Sequence, residues 1–300
     1  MDFLESPLHV IARWRLEKRA HRAVKHLSGP RAAESGTFRY TPLSPKNDEI
    51  RLLTLLPGEE GSDVRILVRN TCFVKYLERS YEALSYTWGP LEDRGRVLVG
   101  RSGDAYVSVT KNLLEVLPYL RYRRKPRRLW VDAICINQAD ADERSQQADI
   151  MAVIYRRATA VIAWVGPATF ESDLGMSCLE TLSTKVEADW HAGTMRGRTS
   201  DPHWSDLSKV LPFGERELMA LFDILGRPWW LRLWIYQEIR LCTHKAVLKC
   251  GYRELPWIAV SDAIFCIVKS PAPIELLRAK HVPDVPVSYT HLTLPTKRIV

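Results

Sequence analysis

Apolar positions along the chain recur in two alternating rhythms. Residues 2–27 place Leu4, Leu8, Ile11, Trp14 and Leu16 near one helical face with Arg and Lys interleaved, and Ser28-Gly29-Pro30 ends the pattern. Beyond residue 37, short apolar runs alternate with helical repeats. Strands are predicted over 50–56, closed by Pro57-Gly58, and over 81–88, closed by Gly89-Pro90. Residues 97–99 and 106–109 suggest a hairpin around Ser102-Gly103-Asp104. Leu113, Leu114, Leu117 and Leu120 share a helix face behind Thr110, a plausible N-cap, while Pro118 predicts a kinked or shortened helix.

Residues 128–136 read as a largely apolar central strand. Asp140 and Glu143 follow in a D-x-x-E capping-box pattern, with Ala148, Met151, Ile154, Tyr155 and Ala158 at helical spacing behind them. A buried strand over 160–165 comes next, closed by Gly166-Pro167. Strand, capped helix and strand in succession predict a βαβ unit, hence a parallel sheet with a right-handed crossover. Further helices are predicted over 174–186, 215–225, 229–241 and 258–268, a strand over 245–250, and a long polar loop over 189–213.

Composition narrows the class. With 46% hydrophobic and 26% charged residues, 300 residues can bury one large core. No apolar run approaches the roughly 18 residues of a membrane span. The start, Met1-Asp2-Phe3-Leu4-Glu5, lacks the apolar segment of a secretory signal. Cys72, Cys135, Cys178, Cys242, Cys250 and Cys266 are spread out, mostly within apolar patterns, which predicts buried reduced thiols, no metal site and a cytoplasmic setting. The net charge of +8 sits in two islands, +4 over residues 1–31 and +6 over 121–128, leaving the rest of the chain slightly acidic. That distribution argues against a nucleic-acid binder whose charge covers one face. The run at 121–128 reads either as a nuclear-localisation or nucleic-acid patch or as a solvated connection from helix to strand. The helix at 2–27 reads either as a membrane-surface or targeting element or as an appendage packing on the domain or a partner. Glycine-rich phosphate loops, H-E-x-x-H and G-x-S-x-G are all absent, against a dehydrogenase, P-loop NTPase, zincin or α/β-hydrolase.

Three blocks carry the identity signal: residues 81–89 (Y-E-A-L-S-Y-T-W-G), 129–138 with the following helix (L-W-V-D-A-I-C-I-N-Q), and 227–239 (R-P-W-W-L-R-L-W-I-Y-Q-E-I). Together and in this order they resemble the heterokaryon incompatibility (HET) domain of filamentous fungi, over residues 38–257. The resemblance implies a role in non-self recognition and cell-death signalling when unlike hyphae fuse, a form of innate immunity. It implies protein partners or self-association. HET domains are distantly similar to TIR domains, which implies a doubly wound, mainly parallel α/β sheet flanked by helices (TIR/flavodoxin-like), with helical and hairpin additions. In that comparison Leu84-Ser85-Tyr86 matches the first TIR strand. Trp234 and Glu238, spaced W-x-x-x-E, match the pattern that holds the catalytic glutamate of NAD-cleaving members.

The residue chemistry permits such a reaction. Cleaving the nicotinamide–ribose bond builds positive charge on the ribosyl ring, which a fixed carboxylate at Glu238 would stabilise. The candidate set is then Glu238 as catalytic residue and Ser85, Trp88, Asp132, Asn137, Gln138 and Trp234 as ligand-binding residues, with NAD as substrate and no metal. Asp132 falls near the carboxyl end of a central strand, where open α/β sheets bind ligands. Asn137 and Gln138 could hydrogen-bond a ribose or amide, and Trp234 could stack. Each also has a structural reading. Glu238 can pair with Arg232 or Arg240, Asp132 and Asn137 can organise the turn before the capped helix, and Trp88, Trp229, Trp230 and Trp234 can be core or interface aromatics. Cys135, within an apolar run and with no histidine nearby in sequence, reads as core.

The expected organisation is an N-terminal helix and linker over 1–36, a HET domain over 37–270, and the start of a truncated C-terminal region over 271–286. Residues 287–300 (V-S-Y-T-H-L-T-L-P-T and four more) read as the translation of a transposase-based sequencing adaptor.

Overall fold

The computed structural model describes residues 36–44, 49–72, 81–190, 192–198, 204, 206, 211–232, 238–239 and 242–270. The predicted helix over 2–27, the residues after 270 and Trp234 lie outside them. The chain divides into Met1–Thr37 and Phe38–Val300, and every element below belongs to the second unit.

Among the described residues, nine strands form one mixed sheet. Its strands are β1 (Glu49–Leu55), β2 (Arg65–Cys72), β3 (Glu82–Ser85), β4 (Arg94–Val99), β5 (Ala105–Thr110), β6 (Arg127–Trp130), β7 (Ala160–Gly166), β10 (Ala246–Cys250) and β11 (Arg253–Pro256), in the order β11-β10-β7-β3-β6-β1-β2-β4-β5. The middle is parallel: β3 lies between β6 and β7, and β10 continues parallel beyond β7. Outside it, β11, β1 and β5 each run antiparallel to a neighbour, and β2 pairs with β4 in parallel. The sheet is therefore mixed rather than mainly parallel. Hairpins supply the antiparallel strands, because short connections cannot make a parallel crossover.

The predicted βαβ unit is present with a strand inserted: β6 leads through a helix to β7, on the other side of β3. Val161, Ile162 and Ala163 of β7 are fully buried, so both faces of the sheet are covered there, as its uninterrupted apolar run requires. Helices α1 (Lys111–Leu120), α2 (Asp132–Cys135), α3 (Ala141–Arg157), α4 (Phe170–Lys185), α5 (Glu215–Leu225) and α6 (Trp257–Lys269) flank the sheet. Helix α1 ends two residues beyond Pro118, whose carbonyl accepts the Arg121 amide, and buries Leu113, Val116, Leu117 and Leu120. The α4–α5 contact is tight: a Cβ added at Gly175 would lie 2.3 Å from the Ala220 carbonyl oxygen. No disulfide joins the six cysteines, and only Cys72 is not buried.

Several expectations are corrected. The strand expected over 128–136 stops at Trp130, and Asp132 starts the single turn of α2, its carboxylate accepting the Ala133 amide at 2.7 Å. Asp140 caps α3 through the amides of Asp142 and Glu143, but Glu143 does not reach back. It turns inward to the fully buried Arg51, with Nη2 2.9 Å from Oε2, and accepts the Asn137 amide at 2.7 Å. An unpaired guanidinium there would cost far more than an unfilled cap. The predicted loop over 189–213 contains part of a β8–β9 hairpin, Val186–Asp189 against Thr194–Gly197. The predicted helix over 229–241 begins instead as a 3-10 turn, Pro228–Leu231.

Candidate functional site

The elements converge at the carboxyl ends of β3 and β6. Strand β3 delivers Ser85 into the core, and the chain then runs out through Tyr86, Thr87 and Trp88 to Gly89, whose φ of +73° favours glycine. The 3-10 turn after α5 plants Trp229 and Trp230 against Trp257 of α6, all three fully buried. That anchor brings Arg232 and Glu238 over the end of β3.

There the side chains lock together. Arg232 holds Glu238 on both oxygens, Nη1 to Oε2 at 2.9 Å and Nη2 to Oε1 at 2.8 Å. Ser85 donates its hydroxyl to Glu238 Oε2, and its Oγ accepts from Trp229 Nε1 and Arg232 Nη1, both at 2.9 Å. Glu238 is only 1% exposed and Ser85 fully buried, whereas 17% of the Arg232 side chain reaches solvent. A two-pronged guanidinium–carboxylate pair with a shared hydroxyl satisfies nearly every polar atom it buries, which is the condition for tolerating such a pair.

Asp132 stands beside this lock, crowded by protein yet keeping a partly open face. Its Oδ2 accepts Trp88 Nε1 at 2.8 Å, tying the block at 81–89 to the block at 129–138. Burial pushes its carboxyl up to about 6, and the nearby Glu238 charge adds to the rise. Arg232, the Trp88 N–H and the Ala133 amide pull the other way. The Tyr86 hydroxyl is buried without a hydrogen-bond partner among the described residues, and burial first, then the Asp132 charge, raises it well above the usual tyrosine range.

Of the sequence candidates, the structure gathers Ser85, Trp88, Asp132 and Glu238 into one cluster. Gln138 donates to the Asp132 carbonyl at 3.0 Å and so braces α2, and the Asn137 side chain accepts the Ala139 amide at 3.2 Å in the turn before α3. Tyr86 was missed, because a tyrosine in a strand-like block carries no mark distinguishing it from core. So was the Arg51–Glu143 pair, whose members are 92 residues apart. The basic run is largely engaged. Arg127 is buried on Glu82, Arg123 pairs with Glu59, and Arg121 donates to the carbonyls of Glu59, Ser62 and Asp63. Among the described residues no His/Cys/Asp/Glu group could hold a metal, and no helix is long and apolar enough to cross a membrane.

Fold and site together define an α/β domain in which a buried carboxylate fastens a tryptophan-rich segment to the central strand. The heterokaryon incompatibility protein (HET) family profile matches residues 81–238, more than half of the 300 residues and a span running from the start of β3 to Glu238 itself. The chain belongs to the HET family. It is 29% identical over 280 residues to heterokaryon incompatibility protein 6, OR allele, of Neurospora crassa. That match covers 83% of this chain and 40% of the relative, so the chain spans well under half of the relative's length. No solved structure matches.

Proposed function

We propose that the chain acts in fungal heterokaryon incompatibility, as a cytoplasmic interaction module for non-self recognition and programmed cell death. The family membership and the name of the relative support the biological setting. One observation carries the mechanism: both oxygens of Glu238 are occupied, by Arg232 and Ser85, and the residue is 1% exposed. A carboxylate held this way is positioned to lock the fold rather than to meet a ligand. We further read the parallel middle of the sheet, with β3 between β6 and β7, as the doubly wound core of a TIR-like module.

A second reading, a TIR-like NAD nucleosidase using Glu238, draws on the same place. The cluster lies at the carboxyl ends of parallel strands, where open α/β sheets bind ligands. Asp132 is partly open beside it, and the Tyr86 hydroxyl, without a hydrogen-bond partner among the described residues, is buried nearby. Purified protein, concentrated and cross-linked into oligomers, is expected to leave NAD intact over hours. Turnover by wild type that a folded Glu238→Gln variant lacks would overturn the interaction reading. Expression of the chain in hyphae, scored for cell death, tests the biological role separately.

A further inference from the structure

At the opposite, amino-terminal end of the parallel strands lies a groove of about 640 Å³. Its lining includes Leu56, Pro57, Asp63, Arg65, Arg101 and Pro126, drawn from the β1–β2 turn, the β4–β5 turn and the residue before β6. The walls are built. Arg121 donates to the carbonyls of Ser62 and Asp63 at 3.2 and 3.0 Å, the Gly58 amide bonds the Tyr122 carbonyl at 3.2 Å, and Arg65 Nη1 holds the Arg101 carbonyl at 3.0 Å. Pro126 belongs to the basic run at 121–128, so the groove opens beside that island. Arg101, Arg124 and Arg128 are exposed, and none forms an ion pair among the described residues.

We propose that this groove docks an acidic peptide segment of a partner protein, an inference that rests on the interaction-module reading above. One apolar side chain of the segment sits on Leu56, Pro57 and Pro126, and flanking carboxylates meet Arg101 and the exposed cations of the basic run. Charge complementarity selects this occupant: two arginines line the groove against one aspartate, beside a run in which Arg124, Lys125 and Arg128 stay exposed while Arg123 and Arg127 are paired with Glu59 and Glu82. The apolar floor and the size suit one or two side chains in a pocket, as in peptide recognition. A nucleic acid fits less well. No aromatic stacking platform lines the groove, and Arg121, Arg123 and Arg127 are already committed to carbonyls and carboxylates.

The test is fluorescence anisotropy of a labelled decapeptide alternating Glu with Leu, titrated with the purified chain. An all-Glu decapeptide and a single-stranded oligonucleotide are the competitors. The alternating peptide is expected to bind, to weaken with salt, and to displace better than the all-Glu peptide. Arg101→Glu is expected to weaken binding about three- to tenfold, and Asp63→Lys to tighten it by about the same factor, the scale of exposed charge pairs. A gain from Asp63→Lys cannot come from misfolding. Arg216→Glu on α5, an equal change of net charge away from the groove lining, is expected to leave binding unchanged. Absent binding, equal losses for Arg101→Glu and Arg216→Glu, no gain from Asp63→Lys, an all-Glu peptide as strong as the alternating one, or tighter binding of the oligonucleotide would each overturn the proposal. Hyphal death that persists in Arg101→Glu would sink the groove while leaving the incompatibility role standing.

Discussion

Removing Glu238 should expose how much of the fold hangs on one carboxylate. Glu238→Leu fills the same space but strips Arg232 of both acceptor oxygens and Ser85 of its own. The guanidinium remains with only 17% of its side chain exposed, too little for water to replace the lost charge. Breaking one side of a buried pair costs about 3–5 kcal/mol. Asp132 lies close enough to interact with Arg232 and offsets part of this, so the lower end, about 3 kcal/mol, is expected. Replacing both partners, Glu238→Leu with Arg232→Met, removes the stranded charge. The remaining loss is then about 1 kcal/mol, mostly from a Ser85 hydroxyl left without an acceptor. The double variant is therefore expected to be more stable than Glu238→Leu alone, with a coupling energy of about 2 kcal/mol or more. Urea unfolding followed by far-ultraviolet circular dichroism measures this. With a slope near 3 kcal/mol per molar, the single variant loses about 1 M in midpoint. Strictly additive single and double variants, or a single variant costing under about 0.5 kcal/mol, would show that the pair is not the lock described.

Two further outcomes follow from neighbouring geometry. The folded Asp132 carboxyl, at about 6, binds its proton more tightly than the free side chain does at 3.8. Between those values the folded state holds more protons than the unfolded one, so this group's stabilisation is full at low pH and lost as pH rises through about 6. The stability of wild type relative to Asp132→Asn is expected to fall between pH 4 and 7, and a flat difference would refute the assignment. Gly175→Ala drives a methyl to 2.3 Å from the Ala220 carbonyl oxygen, where backbone must shift. A loss of about 2–3 kcal/mol is expected from overpacking, seen as a lower thermal midpoint, whereas an alanine in an open helix position would be neutral or stabilising.

Local pattern was enough for the elements whose burial is one-sided or complete. The apolar run of β7, the hairpin at β4–β5 and helix α5 were read correctly because periodicity and Gly/Pro punctuation report directly on which faces meet the core. Strands β2 and β11 escaped, since their half-buried, polar-rich residues follow no clear alternation. The end of β6 was misplaced for a related reason. The apolar residues from Val131 to Ile136 suit a buried strand or a buried helical turn equally, and the Asp132 carboxylate on the Ala133 amide selected the turn.

For the candidate site, sequence alone determined membership and components: three ordered blocks, with Ser85, Asp132 and Glu238 each inside one of them. It could not assign their partners. Ser85 and Glu238 are 153 residues apart, and no spacing rule reaches that far. The choice of Arg232 as the partner of Glu238, the inward turn of Glu143 toward Arg51 and the burial of the Tyr86 hydroxyl are consequences of packing. A charge taken out of water must find its counter-charge in whatever the sheet and helices bring beside it, and only the assembled fold decides what that is.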